Sequence, residues 1–564
     1  MATRLSFRPG LFKTLEGDIR RSLLTERVVE RIVCKDHTLW KTAPAEIANR
    51  LGWLDSPKKM MDRIVEIDEA VDGVRADGYN FVLLLGMGGS SLAPEVFRKV
   101  FGVAEGYLNL EVLDTTDPGA ILSYAACIDF EKTLFVVSTK SGGTIETLSL
   151  MKYFYNLTAE KLGKEKVGEH FLAITDPGSK LEETAKNNGF RHVFLNDPEI
   201  GGRYSALSFF GLVPARLLGI DIKRLLERAE ADSNDEFSEE KMNGALLGGL
   251  LGEMSVRGRD KLTFVFSQRL ASLGGWIEQL LAESTGKEGK GILPVIGEPY
   301  GTPEFYGADR VFCSVRLQKD VAGEAHLRAL AAAGYPVADL TISDNYDLGG
   351  HFFFWEIATA VAGWRLAVNP FDQPNVEASK VLARKMIEKY FQERSLPKDA
   401  PVVEADGFSV YGKVALNNPD AVLKGFLSQA IPCTYVAFMA YLAPSPWVDD
   451  ALQRLRGAIV ERFSITTTFG YGPRFLHSTG QLHKGDAGHG LFVQFTADDL
   501  EEEPVPDEMG SSKSSLTFGV LKKAQALGDL QALTEAGRKI IRIHFHGNPA
   551  RDIDRLTNAL AKKP

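Results

Sequence analysis

Two apolar runs in the first third of the chain each end in a small, glycine- and hydroxyl-containing loop and then enter a segment of helical spacing. Phe81–Leu85 is followed by Gly86-Met-Gly-Gly-Ser-Ser91, and Leu134–Val137 by Ser138-Thr-Lys-Ser-Gly-Gly-Thr144. Successive strand–loop–helix units imply parallel strands with helices covering both faces of the sheet. Glycines let backbone N–H groups approach an anion, and the N-terminus of the following helix adds positive potential. Two such loops at successive strands, rich in Ser and Thr and including Lys140, point to one shared phosphate.

The same alternation continues. Strands are predicted at Leu110–Leu113, Phe171–Ile174 and His192–Leu195, then at Leu262–Phe266, Val311–Leu317 and Val337–Ile342. Helical apolar spacing fills the intervals, as in Val96, Phe97, Val100 and Phe101. Residues 1–75 read as a mostly helical N-terminal segment, with punctuation at Pro44 and Pro57. The acidic stretch Asp232–Glu240 reads as a connection between a first α/β domain, 76–235, and a second, 241–394. A C-terminal α/β region is expected over 400–564. There Asp420–Leu442 and Val448–Phe463 look helical, Leu491–Phe495 and Ile540–Phe545 look like strands, and Glu501–Ser515 reads as a mobile loop.

At 564 residues the chain is too long for one core. Its net charge of −9 argues against nucleic acid as the main partner, since affinity for phosphate backbones comes from clustered Lys and Arg. The four cysteines are widely spaced with no CxxC pair, as in reduced cytosolic proteins. The N-terminus lacks the apolar core of a signal peptide, and no run of 18 apolar residues occurs. A cytoplasmic protein without a membrane partner is expected.

Dinucleotide binding fits poorly: serine stands at position 91 where the G-x-G-x-x-G fingerprint needs its third glycine. A nucleotide P-loop fails as well, because Lys287 is followed by Glu288. Taken singly, the other polar motifs keep two readings. Arg203 in Gly201-Gly-Arg-Tyr-Ser205 is either a solvated turn or a buried cation. Glu283, where an apolar helix gives way to Ser-Thr-Gly-Lys287, is either a general base or a helix end. Glu377 and Lys380, after Gln373, could be a surface pair. His477, His483 and His489 do not share a helix face. His544 and His546 share one face of a strand, but two residues do not make a metal site, so no metal is expected.

In combination these segments resemble the phosphoglucose isomerase family and, more broadly, the sugar-isomerase (SIS) domains that bind phosphosugars. Gly86-Met-Gly-Gly-Ser-Ser91, Thr139-Lys-Ser-Gly-Gly-Thr-Ile-Glu-Thr147, Gly201-Gly-Arg-Tyr-Ser205, Glu283-Ser-Thr-Gly-Lys287 and Phe371-Asp-Gln-x-x-Val-Glu-x-x-Lys380 stand in the family's order over about residues 75–390. Three departures stand out. Asn375 occupies a position where the family usually has glycine. The chain runs on well past the last element of short bacterial members. The family's histidine motif is missing between Glu283 and Gln373, where only His326 and His351 occur; instead Leu476-His-Ser-Thr-Gly-Gln481 resembles it in the C-terminal region. That arrangement is similar to the isomerase half of bifunctional transaldolase–glucose-6-phosphate isomerases.

The resemblance implies two SIS domains plus a C-terminal α/β extension, and interconversion of glucose 6-phosphate and fructose 6-phosphate through a cis-enediol, with no cofactor. It assigns Glu283 as base, Arg203 as the cation facing developing negative charge, and Lys380 with His477 to proton transfer at the ring oxygen. The hexose phosphate would rest on Gly89, Ser90, Thr139, Lys140, Ser141 and Thr144, oriented by Gln373. A homodimer is implied, or a monomer if His477 acts within its own chain. A non-catalytic phosphosugar-binding regulator and an isomerase of another sugar phosphate, such as mannose 6-phosphate, remain alternatives.

Overall fold

The computed structural model describes residues 3–414 and 418–561. Among them the strands form two five-stranded sheets, one six-stranded sheet and a two-stranded ribbon, an α/β architecture of mainly parallel sheets flanked by helices.

The first sheet runs Asn109–Leu113, Phe81–Gly86, Thr133–Ser138, Phe171–Thr175, His192–Leu195, with every neighbouring pair parallel. Its central strands are apolar at nearly every position because helices cover both faces. Polar–apolar alternation is absent there, and Val82, Leu83, Leu84 and Leu85 are all fully buried. The chain's order along the sheet reverses between Phe81–Gly86 and Thr133–Ser138, and both glycine loops leave from those two adjacent strands. Such a switch point opens a crevice beyond the carboxyl ends of the strands, where α/β sheets bind ligands.

The second sheet runs Thr3–Phe7, Val337–Ile342, Arg310–Leu317, Lys261–Phe266, Leu293–Val295, parallel except for its first strand. That first strand departs from the helical reading of residues 1–75: Thr3–Phe7 pairs antiparallel with Val337–Ile342, and the Thr3 N–H donates to Asp232 Oδ2 at 3.2 Å. The acidic stretch expected to link two domains is also different. Ile222–Glu236 is one helix, and Glu236 is 3 % exposed, its carboxyl oxygens accepting from the Gly244 N–H at 2.8 Å. Those oxygens satisfy orphan donors of the next helix, Asn243–Val256, rather than facing water.

The third sheet runs Val403–Ala405, Phe408–Gly412, Lys539–Phe545, Gly490–Ala497, Tyr435–Tyr441, Thr466–Tyr471. The first two strands form an antiparallel hairpin that pairs antiparallel with Lys539–Phe545; the rest are parallel. Here the helix expected over Asp420–Leu442 resolves into a short helix, Val422–Leu427, and the buried strand Tyr435–Tyr441. Glu501–Ser515 is anchored rather than loose: Lys152 Nζ donates to Asp507 O at 2.6 Å and Asn156 Nδ2 to Ser511 O at 2.7 Å. The helix that follows, Phe518–Glu535, sets Phe518, Leu521 and Ala524 in one apolar cluster with Leu83, Leu85 and Phe154 of the first unit.

Candidate active site

The two glycine loops meet a third backbone segment. A Cβ on Gly89 would stand 2.0 Å from Gly202 O, so the first loop lies backbone to backbone against the turn that carries Arg203. Gly88 has φ +54, and a Cβ there would come within 3.0 Å of His477 Cβ. Only glycine meets both demands, a left-handed backbone and a neighbour at contact distance. Ser90 is buried, and its carbonyl accepts from Ser138 Oγ at 3.3 Å, tying the first loop to the second. In the second loop Thr139 Oγ1 and Thr144 Oγ1 share a 2.9 Å hydrogen bond, and Thr144 precedes the helix Ile145–Leu162. Ser141 is exposed, its Oγ accepting from the Gly143 N–H at 3.3 Å. Lys140 Nζ pairs with Asp176 and donates to Pro198 O at 2.9 Å, which leaves one of its three donors uncommitted.

Beside this cradle lies a buried ion pair. Glu283 is on the last turn of the helix Leu273–Thr285, and Arg203 is in the short turn Gly202–Tyr204. Arg203 Nη1 is 3.5 Å from Glu283 Oε1, with the side chains 3 % and 9 % exposed. The guanidinium is fixed from every side. Nε donates to Ser284 Oγ at 2.7 Å, Nη1 to Gln373 Oε1 at 3.0 Å, and Nη2 to the carbonyls of Pro370 at 2.7 Å and Asp372 at 2.9 Å. Four of five donors are thereby used, and one Nη1 proton remains on the side of the carboxylate. Gln373, named from its sequence motif, therefore touches Arg203 directly.

His477 comes to the same place from the far end of the chain. Its Nε2 is 3.0 Å from Glu146 Oε1, and Glu146 also accepts from Gln525 Nε2 at 2.7 Å. Burial alone would raise the Glu146 carboxyl, yet it lies below its ordinary value because His477, and more weakly Lys380, favour the anion. Lys380 is half-buried on the helix Pro374–Glu393 and acts on Glu146 through its charge. Gln279, one turn before Glu283, donates to Glu283 Oε2 at 3.1 Å and to His477 O at 2.6 Å, so one amide spans the Glu283 carboxylate and the histidine segment. The other histidines stay apart from this group. His351 is fully buried between Thr3 and Trp355, and burial pushes it down to about 3. His483 is buried against Phe475 and Phe492.

Several residues in this arrangement carry no role in the sequence reading: Glu146, Gln279, Gln481, Lys287 and Gln525. Glu146, Lys287 and Gln481 stand inside the family's motifs, so the signal for these three was present as position rather than as residue type. Asn375, where the family usually has glycine, has a structural reason. Its Oδ1 accepts from Gln481 Nε2 at 2.7 Å and its N–H donates to Gln481 Oε1 at 2.8 Å, docking the histidine motif onto the helix of Lys380.

Two glycine loops at a switch point, beside a buried carboxylate–guanidinium pair and a carboxylate-held imidazole, define an α/β protein in which cation, carboxylate and imidazole converge on one crevice. Residues 48–292 match the profile of the phosphoglucose isomerase family. A glucose-6-phosphate isomerase of Thermus thermophilus is 30% identical over 428 residues, covering 68% of this chain and 98% of that protein. One from Rubrobacter xylanophilus is 29% identical over 360 residues, 55% of this chain and 83% of the relative. The crystal structure of a hypothetical protein from Thermus thermophilus superposes with a TM-score of 0.59 at 27% identity, covering 68% of this chain and 99% of that one. The chain belongs to the phosphoglucose isomerase family. Among the described residues no helix is long and apolar enough to cross a membrane.

Proposed function

We propose that the chain is a glucose-6-phosphate isomerase that works in glycolysis through a cis-enediol. The observation that carries this reading is the buried pair of Glu283 and Arg203, 3.5 Å apart, beside the glycine loops. The substrate phosphate binds to Gly89, Ser90, Thr139, Lys140, Ser141 and Thr144 and holds the non-reacting end of the sugar, so that C1 and C2 meet the carboxylate. His477, oriented by Glu146, and Lys380 transfer the proton at the ring oxygen and open the hexose. Glu283 then removes the proton from C2 and returns it to C1, a shuttle that one carboxylate can perform because C1 and C2 present the same face of the planar enediol to it. Negative charge grows on the C1 and C2 oxygens as this happens. Arg203 cannot lose its proton and is already fixed, so its remaining donor stabilises that charge without reorganisation. Gln373 orients the guanidinium and the sugar oxygens.

A coupled assay of glucose 6-phosphate formed from fructose 6-phosphate tests the reading. The wild-type chain is expected to be active, and Glu283→Gln to lose about 10²–10⁴-fold in kcat with KM little changed. Inactive wild-type protein that still binds phosphosugars would mark a regulator, and activity surviving in Glu283→Gln would remove Glu283 from its role. The same assay run with mannose 6-phosphate separates the two sugar-phosphate activities.

A further inference from the structure

The carboxyl ends of the third sheet gather side chains for which the reaction above has no use. Thr496 lies opposite His544 on the neighbouring strand, and His544 lies opposite Ser409 on the next. The two-residue period of a strand puts His546 on the same face as His544. Asp498 is carried alongside, because its N–H continues the ladder to Phe545 O at 3.2 Å. The sequence offered two imidazoles; the neighbouring strand supplies a carboxylate.

Asp498 Oδ1 is 3.2 Å from His544 Nε2, and Asp498 Oδ2 is 3.3 Å from His546 Nδ1. Metal–ligand bonds of roughly 2.0–2.2 Å place neighbouring tetrahedral ligands ~3.3–3.6 Å apart, so each ring nitrogen stands near that spacing from one oxygen of the carboxylate. The three ligand atoms lie within 4.8 Å of one another. Each ring's other nitrogen meets a hydroxyl: His544 Nδ1 is 2.9 Å from Thr496 Oγ1 and His546 Nε2 is 2.8 Å from Ser409 Oγ. A hydroxyl that accepts the ring N–H leaves the opposite nitrogen with its lone pair directed at Asp498, the tautomer a metal requires. Asp498 and His544 line a cavity of about 570 Å³, together with Tyr441, Arg542 and Lys523. On its wall the Tyr441 hydroxyl, in a residue 1 % exposed, and Arg542 Nε have no hydrogen-bond partner among the described residues.

We propose that Asp498, His544 and His546 bind a divalent transition-metal ion of the zinc class, with the remaining coordination positions facing this cavity. Imidazole nitrogen with a single carboxylate suits zinc over magnesium or calcium, which favour all-oxygen sets. The open positions would take water or a small anion, for which Arg542 supplies the complementary charge.

The test uses the untagged full chain, stripped with chelator and dialysed. Titration with Co²⁺ is expected to give visible absorption bands that saturate at one equivalent and are displaced by Zn²⁺, which binds more tightly. Loss of even an outer partner of a metal ligand costs about 10–100-fold in affinity. His544→Ala and His546→Ala should therefore weaken Zn²⁺ binding beyond that range, and Asp498→Asn by at least about tenfold, while His489→Ala leaves it unchanged. The Asp498 and His546 side chains are both exposed, so those two variants retain the fold. No saturable binding, or binding that persists in the His544→Ala/His546→Ala double variant, would overturn the proposal and leave a carboxylate hydrogen-bonded between two histidines.

Discussion

Lys287 shows how one buried side chain can hold a site without facing it. Its Nζ donates to Asn369 O and Asp372 O, each at 2.6 Å, and to Asp372 Oδ1 at 2.7 Å. Asp372 O is also an acceptor for Arg203, so two cations share one carbonyl and fix the segment between them. Burial, reinforced by Arg203, pushes the Lys287 ammonium down from 10.5 to about 8, with Asp372 opposing. Between those values the unfolded chain binds more protons than the folded one, so this group's contribution to stability rises with pH. Relative to Lys287→Met, the wild-type chain should gain as much as about 3 kcal/mol between pH 8 and 10.5 and show no change in the difference below pH 8. Urea unfolding of both proteins across that range measures it, and a difference that falls with pH would refute the assignment. Residue type alone gave Lys287 no role: after Gly286 and before Glu288 it fails as a P-loop lysine, and the carbonyls that surround it come from a segment some 80 residues further on.

At the scale of elements, the helix Phe518–Glu535 is the wedge that brings the parts into register. Asp529 on it accepts from Lys484 Nζ at 2.7 Å and from Ser379 Oγ at 3.2 Å, and Lys522 donates to Asp117 at 2.7 Å. Its crossing with Pro374–Glu393 is so close that a Cβ on Gly528 would stand 2.6 Å from the Ala383 backbone nitrogen. Gly528→Ala should therefore destabilise the chain by about 1–3 kcal/mol, since the atoms it would meet are backbone and cannot swing aside like the end of a flexible side chain. A thermal midpoint equal to wild type would show that the two helices part freely. The first sheet was readable because glycine loops punctuate its two central strands and its helices keep their apolar spacing. Tyr435–Tyr441 was not: a strand buried on both faces loses its alternation and reads like a buried helix. Asp232–Glu240 misled for the opposite reason, since charge ordinarily means solvent and here Glu236 is bound to backbone donors. Arg203, Glu283 and Gln373 were visible through their motifs, whereas the contact of His477 with Glu146 depends on long-range packing that no local pattern reports.

For the whole molecule, the proposed reading makes one chain catalytically complete, because His477 lies against the first glycine loop and Glu146 of its own chain. Mixing Glu283→Gln with His477→Ala, after unfolding and refolding together, is expected to restore no activity. Recovery of activity in the mixed sample, with both parents inactive, would mean that sites are shared between subunits. The apolar cluster that joins Leu83, Leu85 and Phe154 to Phe518 and Leu521 also has a consequence for how the chain is made. The first sheet leaves the ribosome long before the helix that covers it, at about 5–20 residues per second an interval on the order of tens of seconds. Throughout that time the face that Phe518 and Leu521 will cover stays exposed, and Glu146 has no imidazole beside it until His477 has been made.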